Sequence, residues 1–203
     1  MTLPLRKPDA PPAASGERAA LLDAAERLFV AHGVAPVELG DVAAAAGLPL
    51  RAAARHFAGK DALLAGLRER FVADFCAGQR AAMERCRPGD WTGRLRAWIA
   101  SGFHGYLDHA ALHDVVFHDA RAHDRIALQH NPVVDQLTEL LQAGVEARAW
   151  VSTDPRMTAV IFFNALHAAA DRVIAAGEPY ERERPLRTLI GYFERSVQWW
   201  RQA

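Results

Sequence analysis

Six of the nine histidines, His104, His109, His113, His118, His123 and His130, fall between residues 104 and 130. His109 and His113 stand four apart, as do Asp114 and His118, and Asp119 and His123. That spacing puts both members of a pair on one face of a helix, where they can chelate Zn²⁺ or Ni²⁺. The sharpest such site uses His109, His113 and a carboxylate. No cysteine lies nearby and the histidines are scattered around the helix, so the segment reads first as a polar helix and no metal ligand set is assigned. His167 and Asp171 have the spacing of an acid–base pair, but helix-surface and interface roles account for them as well. A third group is basic. Arg51, Arg55, His56 and Lys60 follow Gly47-Leu48-Pro49, and an arginine pairs bidentately with guanine or with phosphate. Were such a group laid on a helix against nucleic acid, Arg51 would read a base edge, with Arg55 and Lys60 on phosphate.

The chain offers little to enzymatic chemistry. It has no Gly-rich phosphate loop, nucleophile elbow or His-Glu metalloprotease motif, so neither an enzyme nor a cofactor is expected. Its 203 residues, 51% hydrophobic, make one or two ordinary domains. The 24 basic and 24 acidic residues cancel, so total charge does not announce a nucleic-acid partner, and any such signal must be local. Residues 1–60 carry a net charge of only +1, which implies weak non-specific DNA binding and a modest salt dependence. Cys76 and Cys86 are the only cysteines. Ten residues apart on one helix they would sit about 15 Å apart, too far to bridge. Unpaired thiols, no signal-peptide core and no run read as long enough to span a membrane lead to an expected cytoplasmic location.

The elements that must position these groups are helical. Residues 1–14, with four prolines, read as a disordered arm. Ser15 is a plausible N-cap for a helix from Arg18 to His32, with Leu21, Leu22, Ala25, Leu28 and Phe29 on one face and Gly33 as its stop. Two short segments follow, Leu39 to Ala46 and Leu50 to Phe57. Gly47 supplies the positive φ of a tight turn between them, and Pro49 is placed to begin the second helix. A long helix runs from Asp61 to about Arg85. Pro88-Gly89 breaks it, and Asp90 caps the next, Trp91 to about Asp108. Ala110 to about Gln129 is helical and polar. Asn131-Pro132 and Asp154-Pro155 pair an N-cap with proline at the first helical position. They open helices Pro132 to about Ala147 and Pro155 to Ala176, the latter apolar on nearly every side and expected to be buried all round. The last helix, about Glu183 to Arg201, carries Leu186, Leu189, Ile190, Phe193, Val197 and Trp200 on one stripe. The fold expected is all-α, about nine helices: a three-helix helix-turn-helix domain (15–60) and a C-terminal helical domain (61–203).

Two short helices joined by a glycine-containing turn form a helix-turn-helix, which lays its second helix in the DNA major groove. From Arg18 to Leu64 the order of parts resembles the DNA-binding domain of the TetR/AcrR-type transcriptional regulators. The matching pieces are Leu21-Leu22-Asp23-Ala24-Ala25, Leu28-Phe29, Gly33, Asp41-Val42-Ala43, Ala46-Gly47-Leu48, His56-Phe57 and Lys60-Asp61-Ala62-Leu63-Leu64. The resemblance implies a homodimer that binds a palindromic double-stranded DNA operator, most often as a repressor, and is released by a small-molecule effector. It also implies that the last two helices build the dimer interface, for which Val160, Phe163, Leu189, Phe193, Val197 and Trp200 are the candidates. The DNA-contact candidates are Pro49, Leu50, Arg51, Ala52, Arg55, His56 and Lys60. Effector-lining candidates among the central helices are Trp98, Phe103, Tyr106, Phe117, Phe163 and His167, with His104 and Asn164 as orienting polar groups.

The sequence departs from the family pattern at its contact positions. Val37 and Glu38 stand where the family usually has Ser or Thr, Pro49 where it commonly has Ser, and Arg51-Ala52-Ala53-Ala54 where it has Gly-Thr-Leu-Tyr or similar. Two alternatives stay open: from the histidine cluster, a metal-responsive regulator using His104 to His130, and from these departures, a helical binding protein of the same scaffold without operator recognition.

Overall fold

The computed structural model describes residues 13–118, 131–177 and 182–198, with the side chains of residues 13–15 and 118 excepted. Among them it has nine α-helices, one π-helical turn and no strand. The helices are α1 (Ala13–His32), α2 (Leu39–Ala45), α3 (Leu50–His56), α4 (Lys60–Glu84), α5 (Trp91–Asp108), α6 (Ala110–His113), α7 (Pro132–Glu146), α8 (Pro155–Ala176) and α9 (Glu183–Val197). The π turn, Asp114–His118, continues α6. The chain divides into two compact units: Met1–Arg68 with Val115–Asp119, and Glu69–Asp114 with Ala120–Ala203. The expected arm and residues 119–130, with His123 and His130, lie outside the described residues, as does Trp200.

In the first unit α1, α2 and α3 pack against one another. Leu21, Leu22, Ala25, Phe29, Val37, Val42, Ala43, Ala53, Phe57, Leu63 and Leu67 are buried. The helix begins at Ala13, so Ser15 lies in its first turn rather than capping it. After α2 the Leu48 amide donates to the Ala43 carbonyl at 2.9 Å and the Gly47 amide to that of Ala44 at 3.1 Å. With Gly47 at φ +70°, this is a Schellman ending, which satisfies the last carbonyls of α2 and turns the chain toward α3. Pro49 stands one residue earlier than expected. It is the extended residue before α3, and its carbonyl accepts from Ala52 and Ala53 at 2.8 and 3.2 Å.

The second unit shows the expected caps. Asp90 accepts from the Gly93 amide, Asn131 from those of Val133 and Val134, and Asp154 from that of Met157. Its core includes Leu95, Trp98, Ile99, Phe103, Tyr106, Leu137, Leu141, Phe162, Leu166 and Phe193. Trp150 lies over Gly144 and donates from Nε1 to the Leu141 carbonyl at 3.0 Å. A Cβ on Gly144 would stand 2.0 Å from the indole. Gly144→Ala should therefore force the buried ring out of place and cost about 1–3 kcal/mol, read as a lower midpoint in chemical denaturation with native helical content retained.

α8 is not buried all round. Ala159, Phe162, Leu166, Ala170 and Val173 form its inward face, while Met157, Ile161 and Ile174 are 54%, 51% and 40% exposed. An apolar sequence on every side thus splits into one face that meets this chain's core and one that is exposed among the described residues. By length and composition α8 is also apolar enough to cross a membrane, contrary to the expectation that no run qualifies. Its inward face is part of the helical core.

Candidate nucleic-acid interface

α3 is short, and six of its seven residues sort by exposure, with His56 intermediate. Ala52 and Ala53 face inward; Leu50, Arg51, Ala54 and Arg55 face outward. Ala52, expected on the contact surface, is thus a core residue. Pro49 is exposed, and Leu50 is 56% exposed at the start of the helix. Arg51 projects from the same end and enters no ion pair among the described residues.

The other basic candidates are held by carboxylates. Glu17 of α1 accepts from His56 Nε2 at 3.0 Å and lies 3.8 Å from the Arg55 guanidinium, whose side chain is 67% exposed. Lys60 donates from Nζ to the Ala35 carbonyl at 2.9 Å and to Glu38 Oε1 at 3.3 Å. Glu38 also begins α2: its amide donates to Asp41 Oδ2 at 2.9 Å, half of a capping box. Val37 is buried. The two residues that replace the usual hydroxyls therefore have structural roles, one filling the core and one capping α2 while restraining Lys60. Glu38 is one of the departures from the family pattern; Glu17, thirty-nine residues from His56, carries no local sequence signal.

Below the reading head, Gly66 marks a close approach. A Cβ there would lie 3.0 Å from the Phe57 ring and 3.2 Å from Leu22. Arg68 donates from Nε and one terminal nitrogen to the Val116 carbonyl at 2.9 and 2.6 Å, and its guanidinium lies 5.5 Å from the centre of the Phe117 ring. Phe117 accordingly belongs with the first unit, apart from the other effector candidates. The π turn opens the helical hydrogen-bond ladder at this point.

Three effector candidates do come together in the second unit. The Tyr106 and His167 rings are 4.9 Å apart and those of Phe163 and His167 4.2 Å apart. His113 joins them, 4.3 Å from Tyr106. Tyr106 donates to Asp171 Oδ1 at 2.6 Å. Burial, and then this hydrogen bond, push its phenol well above the ordinary value, so it stays a proton donor at neutral pH. Trp98 and Phe103 are fully buried core residues; Trp98 donates to Gln136 at 3.1 Å. Asn164 is exposed and turns back on its own helix to the Val160 carbonyl. His104 is partly exposed and 4.0 Å from Glu183. The expected pair, His167 and Asp171, each contact Tyr106, and His167 Nδ1 pairs with the Phe163 carbonyl at 2.9 Å. Among the described residues no three His, Cys, Asp or Glu side chains converge as metal ligands. Cys76 and Cys86 are free thiols; burial raises Cys76, opposed in part by Arg80.

The stripe expected at the dimer interface points the other way. Leu189, Phe193 and Val197 are buried in this chain's own core, with Phe193 stacked on Phe162 at 3.8 Å and nearly parallel. Val160 and Phe163 are partly buried against the same core. The outward faces instead present Met157 and Ile161 on α8 and Tyr192, 57% exposed, on α9.

Residues 21–67 match the family described as bacterial regulatory proteins, tetR family. No curated protein matches the chain. Solved structures share its fold over nearly the full length. A Rhodococcus sp. RHA1 protein of unknown function is 21% identical with a TM-score of 0.75, covering 90% of this chain and 96% of that one. The fatty acid degradation regulator FadR from Bacillus halodurans is 20% identical with a TM-score of 0.71, covering 92% and 96%. SmeT in complex with triclosan is 20% identical with a TM-score of 0.67, covering 90% and 92%. Residues 21–67, the helix-turn-helix, are thus similar to the tetR family, and the chain that carries them has the tetR-type all-α fold.

Proposed function

We propose that the protein is a homodimeric repressor that binds a palindromic operator and is released by a small molecule. The observation that carries this is the outward face of α3, where Arg51 stands between Leu50 and Arg55 on the helix-turn-helix with no ion pair among the described residues. Arg51 reads guanine, the apolar Leu50 and Ala54 suit a thymine methyl, and Arg55 and Pro49 lie against the backbone. Residues 15–60 form the reading head; 61–203 bind the effector and dimerise. The dimer forms through Met157, Ile161 and Tyr192 on the outward faces of α8 and α9, because exposed apolar residues sustained along a helix mark an association surface. A cytoplasmic location follows from the DNA partner.

Effector release needs a ligand with different affinities for the DNA-competent and incompetent conformers. A structural relative in complex with triclosan supports a small-molecule ligand. The segment Val115–Asp119, grouped with the first unit while α6 belongs to the second, is the chain's route for that coupling. Arg68→Ala should leave DNA binding intact while weakening the effector's ability to abolish it, read by titrating effector into a protein–DNA complex.

A second reading has its own support. Glu17 and Glu38 engage His56, Arg55 and Lys60, as they would in a scaffold that no longer binds DNA. A mobility-shift assay with the DNA upstream of the chain's own gene separates the two: retention at low salt supports the repressor, and its absence supports the scaffold.

A further inference from the structure

A cavity of about 280 Å³ opens in the second unit between the end of α4, the start of α5 and the middle of α7. It lies just below the roughly 300–1,000 Å³ range of small-molecule pockets. Its apolar lining is Met83, Leu140 and Ala143, with Trp91 at one side. Trp91 is set edge-on to the buried Trp150 at 6.2 Å, so that wall is fixed by the core.

The polar groups are unevenly served. Gln136 is held at both side-chain atoms: its oxygen accepts from Trp98 at 3.1 Å and its nitrogen donates to the Cys76 carbonyl at 2.9 Å. These bonds fix the side chain as part of the cavity wall. Arg94 lies 5.1 Å from the Trp91 ring centre, and its Nε is buried with no hydrogen-bond partner among the described residues. Arg80 lines the same cavity, and neither guanidinium enters an ion pair among the described residues. The carboxylates Glu84 and Glu139 also line it but are exposed and stay solvated. A buried charged donor without an acceptor is costly. An arginine fork stacked on indole, beside an apolar wall, is suited to a carboxylate carried on a hydrophobic body.

We infer that this cavity is the effector site and that it takes a compact organic monocarboxylate, its carboxylate on Arg94 and Arg80 and its apolar body against Met83, Leu140 and Ala143. This rests on the chain being an effector-released regulator. None of the aromatic or histidine residues singled out in the sequence lines the cavity. Its residues come from three separate elements and carry no local motif.

The test uses 2-naphthoate and its neutral analogue 2-naphthamide, titrated calorimetrically into the full-length protein. Naphthoate should bind once per chain, roughly tenfold to a hundredfold more tightly than the amide. Arg94→Gln should remove that preference, so that acid and amide bind with equal affinity. Ala143→Phe, which fills the cavity without altering charge, should abolish binding of both, and a retained thermal melt shows that either variant is folded. Equal affinity for acid and amide, no saturable binding, or an acid preference that survives Arg94→Gln overturns the assignment. The protein–DNA complex is read in parallel. DNA binding without naphthoate binding defeats the cavity and leaves the regulator standing. Arg94-dependent naphthoate binding with no effect on a measured protein–DNA complex keeps the carboxylate site and defeats its role as effector site. Arg94-dependent binding by a protein that holds no DNA keeps the site and defeats the regulator.

Discussion

Phe193→Ala should destabilise the second unit rather than separate a dimer. The ring stacks on Phe162 at 3.8 Å with an interplanar angle of 3° and has no exposed surface. Removing it opens a cavity between α8 and α9 inside one chain. Phenylalanine-to-alanine changes at such sites cost about 3–5 kcal/mol, a large part of the roughly 5–15 kcal/mol that holds a domain together. Equilibrium denaturation at several protein concentrations checks it: a large fall in the midpoint should appear at every concentration. Ile161→Asp is the contrasting variant. Its side chain is half exposed, so the monomer core should be spared and sedimentation should show a loss of dimer. If Phe193→Ala instead leaves stability intact and dissociates the protein, the buried stripe of α9 has been assigned to the wrong partner.

This pair also shows where sequence stops being readable. A stripe of Leu186, Leu189, Phe193 and Val197 at helical spacing announces a buried face, but burial against one's own core and burial against a second copy leave the same pattern. In α8 the ambiguity is worse, since Phe162 and Ile161 are adjacent and equally apolar, and only the fold sends one inward and the other outward. By contrast Asp90, Asn131-Pro132 and Asp154-Pro155 are legible because capping is settled within three residues. The reading head divides in the same way. Its turn chemistry at Gly47 is local and readable. The Glu17 contact to His56 spans thirty-nine positions and depends on how α1 lies across α3. The cavity at Arg94 is non-local in the same sense, and none of its three contributing segments is distinctive alone.

The carboxylates on the reading head set the second large effect. Glu17→Gln should release Arg55 and His56, and Glu38→Gln should release Lys60 from its acidic partner while the Ala35 carbonyl still orients it. Exposed ion pairs are individually weak, about 0–1 kcal/mol, so the gain comes chiefly from removing a negative charge facing phosphate. Each substitution should tighten non-specific DNA binding about two- to fivefold at low salt, and the double variant should steepen the salt slope by about one unit. The part of Glu38 that begins α2 rests on its amide and Asp41, so thermal stability should move little. Unchanged affinity in the double variant would mean that these carboxylates do not face DNA.

Recognition itself falls on Arg51, the basic side chain on the outward face of α3 without an internal partner among the described residues. The decisive measurement is the fluorescence anisotropy of labelled DNA from upstream of the chain's own gene, titrated with the native protein and with Arg51→Ala against a scrambled duplex. Two chains should bind each palindromic site in preference to the scrambled sequence, and Arg51→Ala should weaken specific binding by about 1–3 kcal/mol. Equal affinity for the two duplexes, or an Arg51→Ala variant that binds as the native protein does, would contradict operator recognition by this helix.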